Sequence, residues 1–213
     1  MIMVTIKKVY SFFSKDEFFA NEQFKLMSFS DKLIYGDPEV SWSLIKEGEE
    51  WIRMKKNRGQ NTILKKYKKE SDACHDYVLF DLLNYKLSEE IIKIEYDKRN
   101  LFNIHEQPIF SIDDLYEVFH LFGCPDKYLS SNKKPQVNTV VIEVSLGKIF
   151  VDVFRNKRIN VCTLEGTLNE FSMSLWVIVS LFWKLMEHKQ DLQEIGIIGD
   201  DYSDSDILNF LRV

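Results

Sequence analysis

Apolar residues recur along this chain with two different periods, and the change from one to the other marks the elements. Period-two alternation and β-branched or aromatic runs predict strands over 2–10, 40–46, 50–56, 90–96, 138–145, 148–155 and 158–163. Helical spacing behind a start signal predicts helices near 15–28, 71–87, 112–122, 167–188 and 204–212. Ser14-Lys-Asp-Glu17 and Thr167-Leu-Asn-Glu170 have the form of capping boxes, in which hydroxyl and carboxylate each accept the other residue's orphaned backbone N–H. Ser111-Ile-Asp-Asp114 and Ser203-Asp-Ser-Asp206 repeat the pattern with aspartate. Gly36-Asp-Pro38 reads as a turn, and Lys46-Glu-Gly48-Glu49 as the bend of a hairpin.

The stretch 138–163 carries the most information. A two-residue turn at Leu146-Gly147 sets Ser145 opposite Lys148 and Glu143 opposite Phe150. Val140, Ile142 and Val144 then share an aliphatic face with Ile149, Val151 and Val153. Glu143, Lys148, Phe150, Asp152 and Phe154 share the other, mixed face. A three-residue turn at Arg155-Asn-Lys157 keeps Ile159 and Val161 with the aliphatic set, and register follows the buried face. Asn156 or Lys157 is expected to take the left-handed conformation there. The meander needs a cover, and the apolar run Phe171–Met186 follows it directly. That run has sixteen residues, one charge at Lys184 and three serines, short of the about 20 residues a bilayer span requires. The predicted class is therefore α+β, a mainly antiparallel sheet packed against helices. It occupies one domain, 1–213, or an N-terminal subdomain 1–100 and a C-terminal meander-helix subdomain 101–213.

Composition narrows the chemistry. The 213 residues are 45% hydrophobic with 16 phenylalanines, which excludes collagen, coiled coil and wholesale disorder. Gly and Pro together number only 12, so glycine-rich phosphate cradles are disfavoured. A net charge of −5 draws the chain neither to nucleic acid nor to anionic lipid as a whole. The N-terminus lacks the pattern of a secretory signal, and Cys74, Cys124 and Cys162 form no CxxC pair. Both point to a cytoplasmic protein with reduced thiols and no membrane association.

Few motifs carry a mechanism. Gly147-Lys148 continues into Ile149, where a P-loop needs a hydroxyl, and His105-Glu106 runs into Gln-Pro108, which breaks an HExxH helix. Cys74-His75 are neighbours pointing about 100° apart on a helix, a poor geometry for a nucleophile and its base. Asp200-Asp-Tyr-Ser-Asp-Ser-Asp206 packs four carboxylates into seven residues but lacks the glycine and glutamate of a calcium loop. Asp204 and Asp206 suit the first turn of a capped helix, leaving Asp200 and Asp201 for a partner. No metal, cofactor or catalytic residue is expected.

Two surfaces remain. Phe150 and Phe154 with Glu143, Asp152 and Asn160 form an apolar anchor with an acidic rim, suited to a partner protein. The expected function is a non-enzymatic intracellular binding protein that neutralises a partner, such as a bacterial toxin-immunity or phage counter-defence protein. The alternative is a nucleic-acid-binding protein or metal-dependent nuclease. It would use the Glu143/Asp152 strand face and the basic run Arg53, Lys55, Lys56, Arg58, Lys65, Lys66, Lys68 and Lys69, which contains no acid.

Overall fold

The computed structural model describes residues 4–21, 24–98, 109–130 and 134–212. The chain is α+β, with two antiparallel sheets in two compact units, Met1–Lys86 with His188–Tyr202 and Leu87–Glu187 with Ser203–Val213. His105 and Glu106 lie outside the described residues.

In the first unit, Thr5 caps helix α1 (Ile6–Phe13) by accepting the Lys8 N–H at 3.4 Å. Ile6, Val9 and Phe13 are buried, at helical spacing. The strand expected over 2–10 is therefore helical from Ile6, because a cap and one buried stripe outweigh β-branched propensity. The helix expected at 15–28 does not form. Asp16 caps a single 3-10 turn, Glu17–Phe19, and the chain then extends into β1 (Lys25–Phe29). Leu26 stands opposite Tyr35 of β2 (Lys32–Gly36), and Phe19 meets the Tyr35 ring edge-on at 5.1 Å. Pairing and aromatic packing decide this segment, where the local signal favoured a helix.

The meander continues through β3 (Val40–Glu47), β4 (Glu50–Asn57) and β5 (Gln60–Tyr67), in the order β1-β2-β3-β4-β5. Gly48 takes φ +60 in the expected bend. Gly36 has φ +130, and a Cβ there would lie 2.3 Å from the Val40 carbonyl oxygen, so only glycine closes this approach of β2 to β3. β5 is an edge strand, exposed except at Tyr67. Helix α2 (Glu70–Tyr77), a π-helical turn (Val78–Leu83) and α3 (Asn84–Lys98) follow as one run. It absorbs the helix expected at 71–87 and replaces the strand expected at 90–96, since Leu87 and Ile91, four apart, are the buried positions. The sheet face bearing Leu33, Leu44 and Arg53 lies against α2 and the π turn: Arg53 reaches Asp81, and the Tyr77 hydroxyl donates to the Trp42 carbonyl at 3.0 Å. Helix α6 (Lys189–Glu194) leads into buried Ile195, Ile197 and Ile198.

The second unit begins within α3, at Leu87, and contains α4 (Ile112–Leu121), β6 (Thr139–Ser145), β7 (Lys148–Phe154), β8 (Arg158–Glu165), α5 (Leu168–Glu187) and α7 (Asp204–Leu211). Capping boxes at Ser111 and Ser203 start α4 and α7. At Thr167 the same reciprocal pair starts α5, with the Thr167 N–H donating to Glu170 at 2.7 Å and the Glu170 N–H to Thr167 at 3.3 Å. The meander has the expected register, Glu143 opposite Phe150 and Ser145 opposite Lys148, with Leu146 and Gly147 at φ 52 and 73. Phe154 pairs with Arg158 and Val153 with Ile159, so the second turn has three residues. Neither Asn156 nor Lys157 has positive φ. The register shifts at Val151/Asp152 and leaves Val161 unpaired, so that Cys162 and Leu164, rather than the expected Val161, stand opposite Val151 and Ile149 of the aliphatic face.

Helix α5 is buried around its whole circumference from Val179 to Trp183 and exposed mainly toward its ends. Leu175, Trp176, Val179 and Phe182 are buried, while Asn169, Glu170 and Glu187 are exposed. It borders the aliphatic face, where Cys162 and Leu164 share a cleft of about 420 Å³ with Ser174, Val177 and Ile178. Trp176 also packs against Phe119 and Phe122, at 5.6 and 5.0 Å between centroids. No helix among the described residues is long and apolar enough to cross a membrane.

Candidate protein-binding surface

In the first unit, the face of the sheet opposite α2 is open over most of its area, although Ile52 at one end is buried, and strand register dictates which side chains share it. Three rows cross the strands. One runs Lys25, Gly36, Ser41, Lys56, Asn61; the next Met27, Ile34, Ser43, Met54, Ile63; the third Phe29, Lys32, Ile45, Ile52, Lys66. The middle row is apolar but for Ser43. Met27 is 37% and Ile63 54% exposed, far above what a covered sheet leaves to such side chains. Much of the face is concave, enclosing about 760 Å³.

Lysines stand on both sides of the apolar row, Lys25 and Lys56 on one and Lys32 and Lys66 on the other. Lys66 is 3.3 Å from Glu50, whereas Lys25, Lys32 and Lys56 have no acidic partner among the described residues. Asp37 sits at the rim, but its Oδ1 accepts the N–H groups of Glu39 and Val40 at 2.7 and 2.6 Å. An apolar floor inside an uncompensated cationic rim desolvates an apolar anchor while attracting acidic flanks. The sequence reading missed this surface because it placed a helix over β1 and left β2 and β5 unread. The alternation of Met27, Ile34 and Ile45 with buried Leu26, Leu33 and Leu44 was the available signal.

The basic run is dispersed by the period of the β4–β5 hairpin. Arg53 is drawn under the sheet to Asp81, Lys55 lies 5.3 Å from the Trp42 ring centre, and Lys65 pairs with Asp76 at 2.7 Å. Lys56 and Lys66 face the open side. Arg58, at φ 47, is exposed in the turn, and Lys68 and Lys69 are exposed before α2. The eight cations therefore do not form one stripe.

Beneath the sheet lies a polar cluster. Arg53 Nε is 2.8 Å from Asp81 Oδ2 but off the N–H axis, so the contact is an ion pair without a directed hydrogen bond. Burial pushes the Asp81 carboxyl up to about 7, outweighing the attraction of Arg53. Asp76 goes the other way. Although burial opposes it, hydrogen bonds from His75, Lys65 and Tyr67 hold its carboxyl well below the usual range. Cys74 is buried, and desolvation followed by the charge of Glu70 raises its thiol to about 12, leaving no thiolate for His75 to assist.

On the mixed face of the second unit's meander, Arg158 occupies the position between the carboxylates, 3.2 Å from Glu143 and 3.7 Å from Asp152. The Asn160 amide donates to Asp152 at 2.8 Å. Asp152 is buried, not a rim acid, because this network draws it in; Phe150 and Phe154 are half-buried. The guanidinium already supplies the cation that a metal would bring. Asp200 is exposed, and Asp201 pairs with Lys189 at 3.0 Å. Among the described residues, no three or more His, Cys, Asp or Glu side chains are grouped to hold a metal ion. Comparison with protein-family models, curated proteins and solved structures gives no match.

Proposed function

We propose that this chain is a non-enzymatic binding protein that neutralises a partner protein, such as a toxin or effector, through the open face of its five-stranded sheet. The observation that carries this reading is the row Met27, Ile34, Met54 and Ile63, exposed at its two ends and half-buried between them, flanked by Lys25, Lys32 and Lys56, which have no acidic partner among the described residues. Apolar side chains held at the surface by a rigid sheet are the usual energetic centre of an interface, and the surrounding charges set on-rate and specificity. The partner is then acidic, whereas a partner for the acidic rim of Glu143 and Asp152 would have been basic. Nucleic acid is the weaker reading of the same face. Stacking of bases needs aromatic planes, and the floor offers methionine and isoleucine, with Phe29 at one corner.

The test uses the methyl resonances of Met27 and Met54 as reporters, titrated with a random Glu/Leu copolymer and, separately, with oligothymidylate. Shifts with the copolymer, lost in the Lys25→Glu/Lys32→Glu/Lys56→Glu variant, support a face for acidic protein. Tighter binding of oligothymidylate, falling steeply with salt, overturns it in favour of nucleic acid. Methyl resonances indifferent to both probes also overturn it.

A further inference from the structure

We infer that the occupant of this face is an acidic amphipathic helix of the partner, lying across the strands along the apolar row; the inference rests on the function proposed above. The row crosses five strands about 4.8 Å apart, so it is about 19 Å long. A helix of about 13 residues, rising about 1.5 Å per residue, matches that length. Alternate residues along a strand are about 6.7 Å apart, which puts the two lysine rows about 13 Å from each other. A helix about 10–12 Å across fits between them, with carboxylates on both flanks in reach of Lys25 and Lys56 on one side and Lys32 on the other.

The middle of the face is made of small residues. Ser43 lies between Ile34 and Met54, and Gly36 and Ser41 adjoin it in the next row. Together they leave room for one large apolar side chain at the centre of the helix, where an interface concentrates its binding energy. Strand addition at β5 is the competing geometry, and the edge opposes it. The register shifts after Arg53, leaving Leu64 unpaired as a bulge, and Lys65 and Lys66 crowd the strand with charge, both devices that discourage edge pairing.

Two peptides of about 14 residues and identical Glu/Leu composition separate these geometries, one with leucines at helical spacing and one with strict alternation. The helix-period peptide should bind at least about tenfold more tightly, a difference of about 1.4 kcal/mol, and shift the Met27 and Met54 methyls. Ser43→Leu, which fills the central depression, should weaken it by about tenfold while the remaining spectrum stays native. Lys32→Glu alone should weaken it too, and more at low salt. Equal or tighter binding of the alternating peptide overturns the helical occupant. If the random copolymer still shifts both methyls while the helix-period peptide does not, the helix is wrong and the protein-binding face stands. Unchanged affinity in Ser43→Leu overturns the central anchor.

Discussion

Replacing Asp81 by asparagine tests the most strained electrostatic arrangement in the first unit. The side chain is 2% exposed, its Oδ2 meets Arg53 off axis, and the Asp76 carboxylate adds repulsion. Its carboxyl stands at about 7 in the folded protein, against about 3.9 in an unfolded chain. A group raised by folding contributes stability that is fully present below its unfolded value and is lost as pH rises through the folded one. At about 1.4 kcal/mol per unit, the wild type should lose on the order of 4 kcal/mol between about pH 4 and pH 7 from this group. Asp76 has the opposite sign, its contribution being lost only as pH falls below the ordinary carboxylate range, so its window lies on the acid side. Urea unfolding of wild type and Asp81→Asn from about pH 4.5 to about 7.5 isolates the difference. The variant should gain steadily on the wild type as pH rises, with equal m-values. A difference that is flat across this range, or that moves in favour of the wild type, would mean that Arg53 outweighs burial, and the reasoning would fail.

In α5, Leu175 and Phe182 are fully buried, so Leu175→Ala or Phe182→Ala should each cost about 2–5 kcal/mol in chemical denaturation, and near-native stability in either would contradict the packing described. At the first turn of the second meander, Leu146 is 99% exposed with φ 52, a conformation leucine resists and asparagine accepts. Leu146→Asn creates an Asn-Gly turn and should raise the urea midpoint by an amount worth about 0.5–1 kcal/mol; a lower midpoint would show that this turn is not strained.

Most of the second meander was legible in the amino-acid sequence, the bulge at Val161 excepted. Its register depends on a turn at Leu146-Gly147 and on side chains that alternate over a few residues, both local properties, and even the three-residue turn at 155–157 followed from which residues needed burial. The capping boxes at Ser111, Thr167 and Ser203 were legible for the same reason, since donor and acceptor lie three residues apart. The first sheet was only partly legible. β3 and β4 announced themselves through Trp42, Leu44, Trp51 and Ile52. β1 and β5 are strands because a neighbour pairs with them, and alone Lys25–Phe29 and the lysine-rich 60–67 look like helix and loop. Tertiary structure also dispersed the basic run, because a hairpin sends Arg53 and Lys56 to opposite faces and a helix must supply Asp81 on one of them. The candidate surface is the clearest case. Alternation can say that Met27, Ile34 and Met54 share a face, but only the placement of α2 on the other side decides that this face is the one left open to a partner. Local periodicity is written in neighbouring residues, whereas exposure is set by what packs from elsewhere in the chain.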